Sequence, residues 1–360
     1  MKIKKITIML SLLSGALVLA SCSKDELTGY VPGGETIEVV KNDLLFDAKE
    51  GTATVEVKAS GTISASVSSD WCTATVSGNV VSVSVQANEG FEGRTAVLTI
   101  RADQGSRELP VQQRGMVLGR FSEPSHYVPM DGGAFSYTIR HDLPMSLTAS
   151  ASWIHTNVNG ELFTINVDQN TTGHLRRGFV VSECAGYRDT LNIAQFDLMN
   201  DIIGSYYMMG YYGGVGGQAI AIRFDVVERN DSLFMHWTND PNWTDTYLPV
   251  SLDRGTATLF FPSAMRLYNS GGNSDVAFFY DTNGTVCTSS ASGANAFLEY
   301  NPTTGFNSAP LTAGNWPGHT LGGFIIRSSR GNGLVVQNLL QMAEPVIMRV
   351  GPEGTTISDD

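Results

Sequence analysis

The last third of the sequence places aromatic residues beside short polar side chains, and this combination can bind sugars. Asn242 and Asp245 lie in the first of two polar turns, and a glycine-rich turn spans 314–318. An aromatic ring gives a sugar an apolar face to stack on, while amides and carboxylates hydrogen-bond its hydroxyls. We therefore expect a ligand-binding surface at these turns, with four aromatic candidates: Trp237, Trp243, Tyr247 and Trp316.

Trp237 also has a plainer interpretation. It alternates with Leu233 and Met235 along a predicted strand, which is the pattern of a core-facing residue. For Trp243 and Trp316 we expect exposed loop positions.

Other chemistry is not indicated by the residue spacing. The histidines show neither His-x-His nor His-Glu-x-x-His spacing, and no Gly-x-Ser-x-Gly is present. The stretch 240–245 offers oxygens for Ca²⁺, but it lacks the alternation and the glycine of an EF-hand loop, so a polar turn is favoured. We expect no catalytic residues, no metal site and no cofactor. The six histidines are His126, His141, His155, His174, His236 and His319.

The N-terminus indicates export. Three lysines precede an apolar run over 6–18, which is too short to span a membrane and reads as a signal peptide. It ends in Leu19-Ala20-Ser21-Cys22, which resembles the lipobox of bacterial lipoproteins. The resemblance implies removal of 1–21 and lipidation of Cys22, so that the lipid is the only membrane anchor. A flexible tether is expected over 22–40.

The residues after the cysteine narrow the expected location. Ser23-Lys24-Asp25-Glu26 resembles the acidic export signal of Bacteroidetes lipoproteins. That resemblance implies an outer-membrane protein facing the cell exterior. The chain has 35 acidic and 23 basic residues and a formal net charge of −12, which disfavours nucleic acid as a partner.

The sequence also contains an internal repeat with an offset of 82 residues. Alternating runs match between the copies, as Val81-x-Val83-x-Val85 does with Phe163-x-Ile165-x-Val167. Six or seven short strands in under 80 residues indicate an immunoglobulin-like sandwich for each copy. Matched positions include Trp71/Trp153, Gly78/Gly160, Asn88/Asn170, Arg94/Arg176 and Gln113/Gln195.

The ordered pattern of a Ser/Asp-Trp stretch, Gly, an alternating strand, Asn, Arg and a final Val-x-Gln resembles the BACON domain. The resemblance covers 41–197, with a first module at 41–115 and a second at 120–197. It implies extracellular modules named for expected carbohydrate binding, for which a spacer role is equally reasonable.

The tryptophan shared by the copies is expected to be structural. Trp71 and Trp153 keep their place while their polar neighbours change, as at Asp70/Ser152. A sugar site should retain those polar partners, whereas core packing needs only the ring. Cys72 aligns with Ile154, so we expect a buried apolar side chain rather than a reactive thiol. With Cys184 and Cys287 it leaves an odd count, which makes a disulfide framework or zinc site unlikely.

The segment 198–351 has no counterpart in the repeat. Many short alternating runs with turn signals predict a larger all-β domain, either a closed barrel or a two-sheet sandwich. Its Gly-x-Tyr opening at Gly204 and Tyr206 is similar to lipocalin-like barrels. The fold class expected for the whole chain is all-β, with two immunoglobulin-like sandwiches followed by this domain.

These expectations combine into one functional hypothesis and two alternatives. The hypothesis is a non-enzymatic surface lipoprotein that binds a polysaccharide or host glycan through its C-terminal domain, with the repeats as spacer. The main alternative is an adhesin or assembly component with a protein partner, such as a member of a glycan-uptake system. An enzyme of unrecognised type is the third class, and no set of residues supports it.

Overall fold

The computed structural model describes residues 37–103, 105–237, 243, 246–267, 273–330 and 335–355. The predicted signal peptide, Cys22, Asn242 and Asp245 lie outside these residues. The described part of the chain is almost entirely β, and its one helix is a π-helical turn, Leu198–Ile202. No helix among the described residues is long and apolar enough to cross a membrane.

The chain divides into two compact units. Of the described residues, unit 1 comprises 37–44 together with Thr52–Ser84 and Ala96–Val111. Unit 2 comprises Leu45–Gly51, Val85–Thr95 and the described residues from Gln112 to Thr355.

Eight strands form two four-stranded sheets in the first part of the chain. Their orders are β1-β3-β6-β5 and β2-β8-β7-β4. In β6 every second residue, Val81, Val83 and Val85, is buried, because successive side chains of a strand point to opposite faces. The strands are β1 Ile37–Asn42, β2 Leu45–Phe46, β3 Gly51–Ala59, β4 Ser64–Val67, β5 Cys72–Ser77, β6 Val80–Val85, β7 Arg94–Ala102 and β8 Gly105–Gln113.

Strand β1 corrects one expectation. The tether was expected to extend to residue 40, but the strand begins at Ile37 and pairs with β3 through Ile37 and Ala59.

The next seven strands repeat this arrangement. They form the sheets β10-β13-β12 and β11-β14-β15-β9, which have the same order as β3-β6-β5 and β4-β7-β8-β2. In both copies a short strand near the start of the copy runs parallel to the last strand, β2 with β8 and β9 with β15. The strands are β9 Ser125–Val128, β10 Gly133–Thr138, β11 Met145–Ala149, β12 Ile154–Asn159, β13 Leu162–Val167, β14 Arg176–Cys184 and β15 Tyr187–Gln195.

Twelve further strands build one continuous sheet. They are β16 Gly204–Tyr212, β17 Gln218–Arg229, β18 Ser232–Trp237, β19 Tyr247–Asp253, β20 Thr258–Pro262, β21 Met265–Leu267, β22 Asn273–Asp281, β23 Gly293–Phe297, β24 Glu299–Asn301, β25 Phe306–Gly314, β26 Leu321–Arg330 and β27 Val335–Gly351.

Eight of these strands close into a barrel in the order β16-β17-β18-β19-β20-β23-β25-β27. Closure occurs on β27, which pairs with β16 and also with β25. The sequence left barrel and sandwich open, and the structure shows the barrel. The expected all-β class is confirmed.

The barrel interior is filled by alternate residues of its strands, including Tyr206, Phe224 and Phe261, each fully buried. The same core continues into the second pair of sheets, where it includes Leu175, Ala194 and Phe196. Within unit 2 the barrel and the preceding sheets therefore share one apolar core.

Candidate functional site

Two of the four aromatic candidates lie in the barrel core. Trp237 is 1% exposed and Trp243 is 7% exposed. Their rings meet edge to face with centroids 5.7 Å apart, and the Trp243 indole N–H donates to Asp275 Oδ2 at 3.2 Å. The exposed loop position expected for Trp243 is therefore wrong, because its ring fills the interior and its polar atom has a buried partner. Neither ring lies at the surface, where a sugar would stack.

Tyr247 lies on β19 and is half-buried. The His236 ring stacks on it at 4.3 Å between centroids, and the Arg229 guanidinium carbon lies 3.4 Å from its centroid. The Tyr247 ring is thus already contacted by the imidazole of His236 and the guanidinium group of Arg229. Asn242 and Asp245, the polar candidates of the same turn, are outside the described residues.

Trp316 lies on a turn, as expected, and is half-buried. The imidazole of His319 stacks on it, with centroids 4.3 Å apart and planes 15° from parallel. His319 Nδ1 in turn lies 2.7 Å from Asp281 Oδ2. We call Trp316, His319 and Asp281 the Trp316 cluster.

The Asp281 carboxylate is the anchor of this cluster. It is 2% exposed, and its Oδ1 accepts the backbone N–H groups of Asn283 at 2.9 Å and Thr285 at 2.7 Å. The hydrogen bond from His319, followed by those backbone donors, holds the pKa of Asp281 below its ordinary value. The charged carboxylate holds the orientation of the His319 imidazole, and the imidazole holds the Trp316 indole by stacking on it.

The turn that carries Trp316 is tied down on its other side as well. The Asn315 side chain donates to the Ala291 carbonyl at 2.6 Å, and Ser292 Oγ donates to the Asn315 carbonyl at 2.8 Å. Asn315 has a φ of +49°, a left-handed conformation that asparagine tolerates better than most residues. The cluster is therefore a preorganised platform with an apolar ring and polar atoms at its edge.

Sequence reasoning found Trp316 but missed its two partners. Asp281 and His319 are 38 residues apart, and only the pairing of β22 with β26, which joins Asp281 to Leu321, brings them together. Asp281 also begins a tight turn, in which the Gly284 N–H donates to the Asp281 carbonyl at 2.9 Å.

The repeated tryptophans are partly buried. Trp153 packs against the core of the second pair of sheets, and the Arg176 guanidinium carbon lies 4.2 Å from its ring centroid. Trp71 is half-buried at the equivalent position. For Trp153 these contacts agree with the structural role that the repeat suggested.

The other repeated residues hold the loops together by the same bonds in both copies. Arg94 Nε donates to Gln113 Oε1 at 2.9 Å, and Arg176 Nε donates to Gln195 Oε1 at 2.8 Å. Each glutamine amide then donates to two or more backbone carbonyls, at Lys49 among others in the first copy and at Pro129 in the second. Asn88 and Asn170 are both buried and each donates to the carbonyl four residues later. The repeated pattern is thus a loop clamp.

The three described cysteines, Cys72, Cys184 and Cys287, are buried, and none of them forms a disulfide. Burial raises the pKa of Cys184, so a smaller fraction of this thiol is ionised to the reactive thiolate.

Searches against known proteins give limited likenesses. No curated protein matches the chain. Among solved structures, an endo-fucoidan hydrolase of glycoside hydrolase family 107 is 9% identical over 46% of this chain and 29% of its own, with a TM-score of 0.26. A Bacteroides ovatus xyloglucanase in complex with a heptasaccharide is 25% identical over 26% of this chain and 21% of its own, with a TM-score of 0.21.

A titin fragment of three Ig domains is 10% identical over 82% of this chain and 94% of its own, with a TM-score of 0.26. The chain spans less than a third of the length of either hydrolase. Residues 59–114, within the first expected module, match the family model BACON, described as "Putative binding domain, N-terminal".

Proposed function

We propose that this chain is a non-enzymatic, lipid-anchored surface protein that binds a glycan through its C-terminal barrel. The observation that carries the proposal is the Trp316 cluster, in which a half-buried indole is held flat against His319 while a buried carboxylate fixes the imidazole. A sugar ring can stack an apolar face on a rigid aromatic ring, while polar atoms at the edge of that ring hydrogen-bond the sugar hydroxyls. The match of 59–114 to a binding-domain family supports a binding role for the chain.

The repeated modules act as spacer in this proposal. The second copy shares the strand order and the Arg–Gln–Asn loop clamp of the first, which supports a second BACON-like module. The Trp153 ring is contacted by Arg176, so that this side of the ring serves packing rather than a ligand. The expected anchor at Cys22 and export to the outer face of the outer membrane complete the proposal.

A protein partner is the second candidate, and a different surface favours it. The β16–β17 hairpin exposes Tyr211, Tyr212 and Val215, at 38%, 54% and 72%. Exposed aromatic and aliphatic side chains grouped on one hairpin are typical of protein contacts.

One experiment separates the two candidates. The chain without residues 1–22 is applied to a glycan array and compared with its Trp316→Ala and Tyr212→Ala variants. Glycan binding by the parent that weakens at least about tenfold, roughly 1.4 kcal/mol, in Trp316→Ala and persists in Tyr212→Ala is the expected result. Both substitutions remove one surface aromatic ring of the same barrel, so each controls for the other.

Failure takes two distinct forms. An array with no retained glycan contradicts the proposed function. Glycan binding that survives Trp316→Ala contradicts the placement of the site at the Trp316 cluster.

A further inference from the structure

A row of polar side chains crosses the outer face of the barrel, away from the Trp316 cluster. Ser205 on β16, Asp225 on β17 and His236 on β18 are successive cross-strand partners, and Tyr247 on β19 follows His236. Directly paired residues of antiparallel strands share one face of a sheet. The interior-facing residues of the same strands are the alternate ones, Phe224 and Trp237 among them. Asp225 and His236 therefore project from the outside of the barrel.

The end of β27 brings a third ligand group to this row. Gly351 pairs with Ser205, and Glu353 follows two residues later. The chain turns there, because the Thr355 N–H donates to the Pro352 carbonyl at 3.1 Å and Gly354 adopts a φ of +87°. One oxygen of Asp225, one of Glu353 and a ring nitrogen of His236 lie within 4.8 Å of one another.

We propose that Asp225, His236 and Glu353 form a binding site for a divalent transition-metal ion of the Zn²⁺ class. An imidazole nitrogen with two carboxylate oxygens suits Zn²⁺, whereas Ca²⁺ and Mg²⁺ prefer oxygen ligands alone. The tetrahedral preference of Zn²⁺ leaves a fourth position for solvent or for a donor from a ligand. Sequence spacing could not indicate this site, because its three residues come from separate strands and a turn.

The two inner ligands are held in place. Asp225 is 3% exposed and its Oδ1 accepts the Ser205 hydroxyl, while the His236 ring is stacked on Tyr247. Hydrogen bonds to a ligating carboxylate and packing of a ligating ring are what orient metal ligands elsewhere. Glu353, which is exposed, can move inward to the roughly 3.4 Å ligand separation that a tetrahedral Zn²⁺ ion requires.

The Arg223 guanidinium lies 3.9 Å from Asp225 Oδ1 and opposes the binding of a cation. It faces one of two carboxylates, so Asp225 and Glu353 together still give the site a net charge of about −1 when His236 is neutral. The site should therefore bind the metal less tightly than a closed structural zinc site with thiolate ligands.

The test uses the untagged chain without residues 1–22, freed of metal by a chelator and titrated with Zn²⁺ in a calorimeter. We expect one Zn²⁺ per chain, and Co²⁺ in its place should give the visible absorption of a tetrahedral site. Glu353→Ala should weaken Zn²⁺ binding by at least about 10- to 100-fold, and His236→Ala should do the same. Because Glu353 is exposed at the end of the last strand, its substitution leaves the fold intact and keeps the test valid even if His236→Ala unfolds.

Two control variants complete the design. Glu228→Ala removes an exposed carboxylate of the same strand, and His155→Ala removes an exposed histidine that lies 3.0 Å from Asp168. Both should retain Zn²⁺ binding. Absence of saturable binding overturns the proposal, and so does binding that survives Glu353→Ala or that is lost in His155→Ala.

Discussion

A single buried carboxylate organises the aromatic cluster at the Trp316 turn. Asp281 accepts two backbone N–H groups and the His319 imidazole, and the imidazole carries the Trp316 ring. The sequence identified Trp316 because it is an aromatic residue in a turn beside a polar side chain, Asn315. It could not identify His319 or Asp281 as its partners, because only the strand pairing sets their distance. Trp243 was misplaced for a related reason, since a turn residue can still point its ring inward.

The depressed pKa of Asp281 gives a prediction about pH. Because its pKa in the folded chain lies below the unfolded value of about 3.9, its contribution to stability is complete above pH 4 and is lost as pH falls through the folded pKa. Urea unfolding of the parent and of Asp281→Asn should therefore differ most near neutral pH and converge toward pH 3. In a His319→Gln background the pH-dependent part of the difference should be smaller and should end at a higher pH, because the folded pKa of Asp281 then lies closer to the unfolded value. A stability difference that stays constant from pH 7 to pH 3 would contradict this account.

At the scale of elements, two substitutions between the copies compensate each other. In the second copy Ile154 on β12 stands where the first has Cys72, and Gly178 on β14 stands where the first has Ala96. A Cβ atom at Gly178 would lie 2.5 Å from Ile154 Cδ1 and 3.2 Å from the Trp153 ring. Ile154 is larger than the cysteine of the first copy, and its side chain fits because residue 178 has no Cβ atom. This contact packs the two sheets of the second copy against each other.

Gly178→Ala should accordingly destabilise the chain by about 1–3 kcal/mol through overpacking. Adding Ile154→Cys, the residue found in the first copy, should recover part of that loss, since it removes the atom that the new methyl group meets. Chemical denaturation of the two single variants and the double variant forms a double-mutant cycle that isolates the coupling. Additive effects would show that the two positions do not share space.

The elements themselves were predictable where the alternation is regular. The alternation of Val81, Val83 and Val85 predicts strand β6, and the structure buries all three side chains. The alternation that ends in Met235 and Trp237 predicts strand β18, and the structure buries both of these side chains. Strands β19 and β25 were missed, since each contains a proline and mixed small residues that weaken the period. The alternating runs predict short strands in this region, whereas β27 is one long strand, Val335–Gly351, which pairs with β26 along its first part and with β25 near its end.

At the scale of the whole molecule, unit 2 joins its β-sandwich and its barrel by more than a linker. Asp201, 3% exposed in the π-helical turn, accepts the Leu175 N–H at 3.0 Å and the Asn307 side-chain N–H at 3.1 Å. Arg177 of β14 donates to the Ala257 carbonyl at 3.1 Å, and burial lowers its pKa to about 10. The similarity between the repeats ends near residue 197, which predicts a domain boundary there. The apolar core, in contrast, continues past that residue into the barrel.

Phe196 tests this shared core, because it is fully buried and its ring lies 4.8 Å from that of Tyr127. Phe196→Ala should cost about 3–5 kcal/mol of unfolding free energy. Hydrogen exchange followed by mass spectrometry should show faster global opening in peptides of both 133–195 and 204–351, since a core common to both regions makes them unfold together. Phe179→Ala, which removes a 44% exposed ring from the same sandwich, is the matched control and should leave both regions unchanged. Acceleration confined to one region would mean that the sandwich and the barrel unfold as independent bodies.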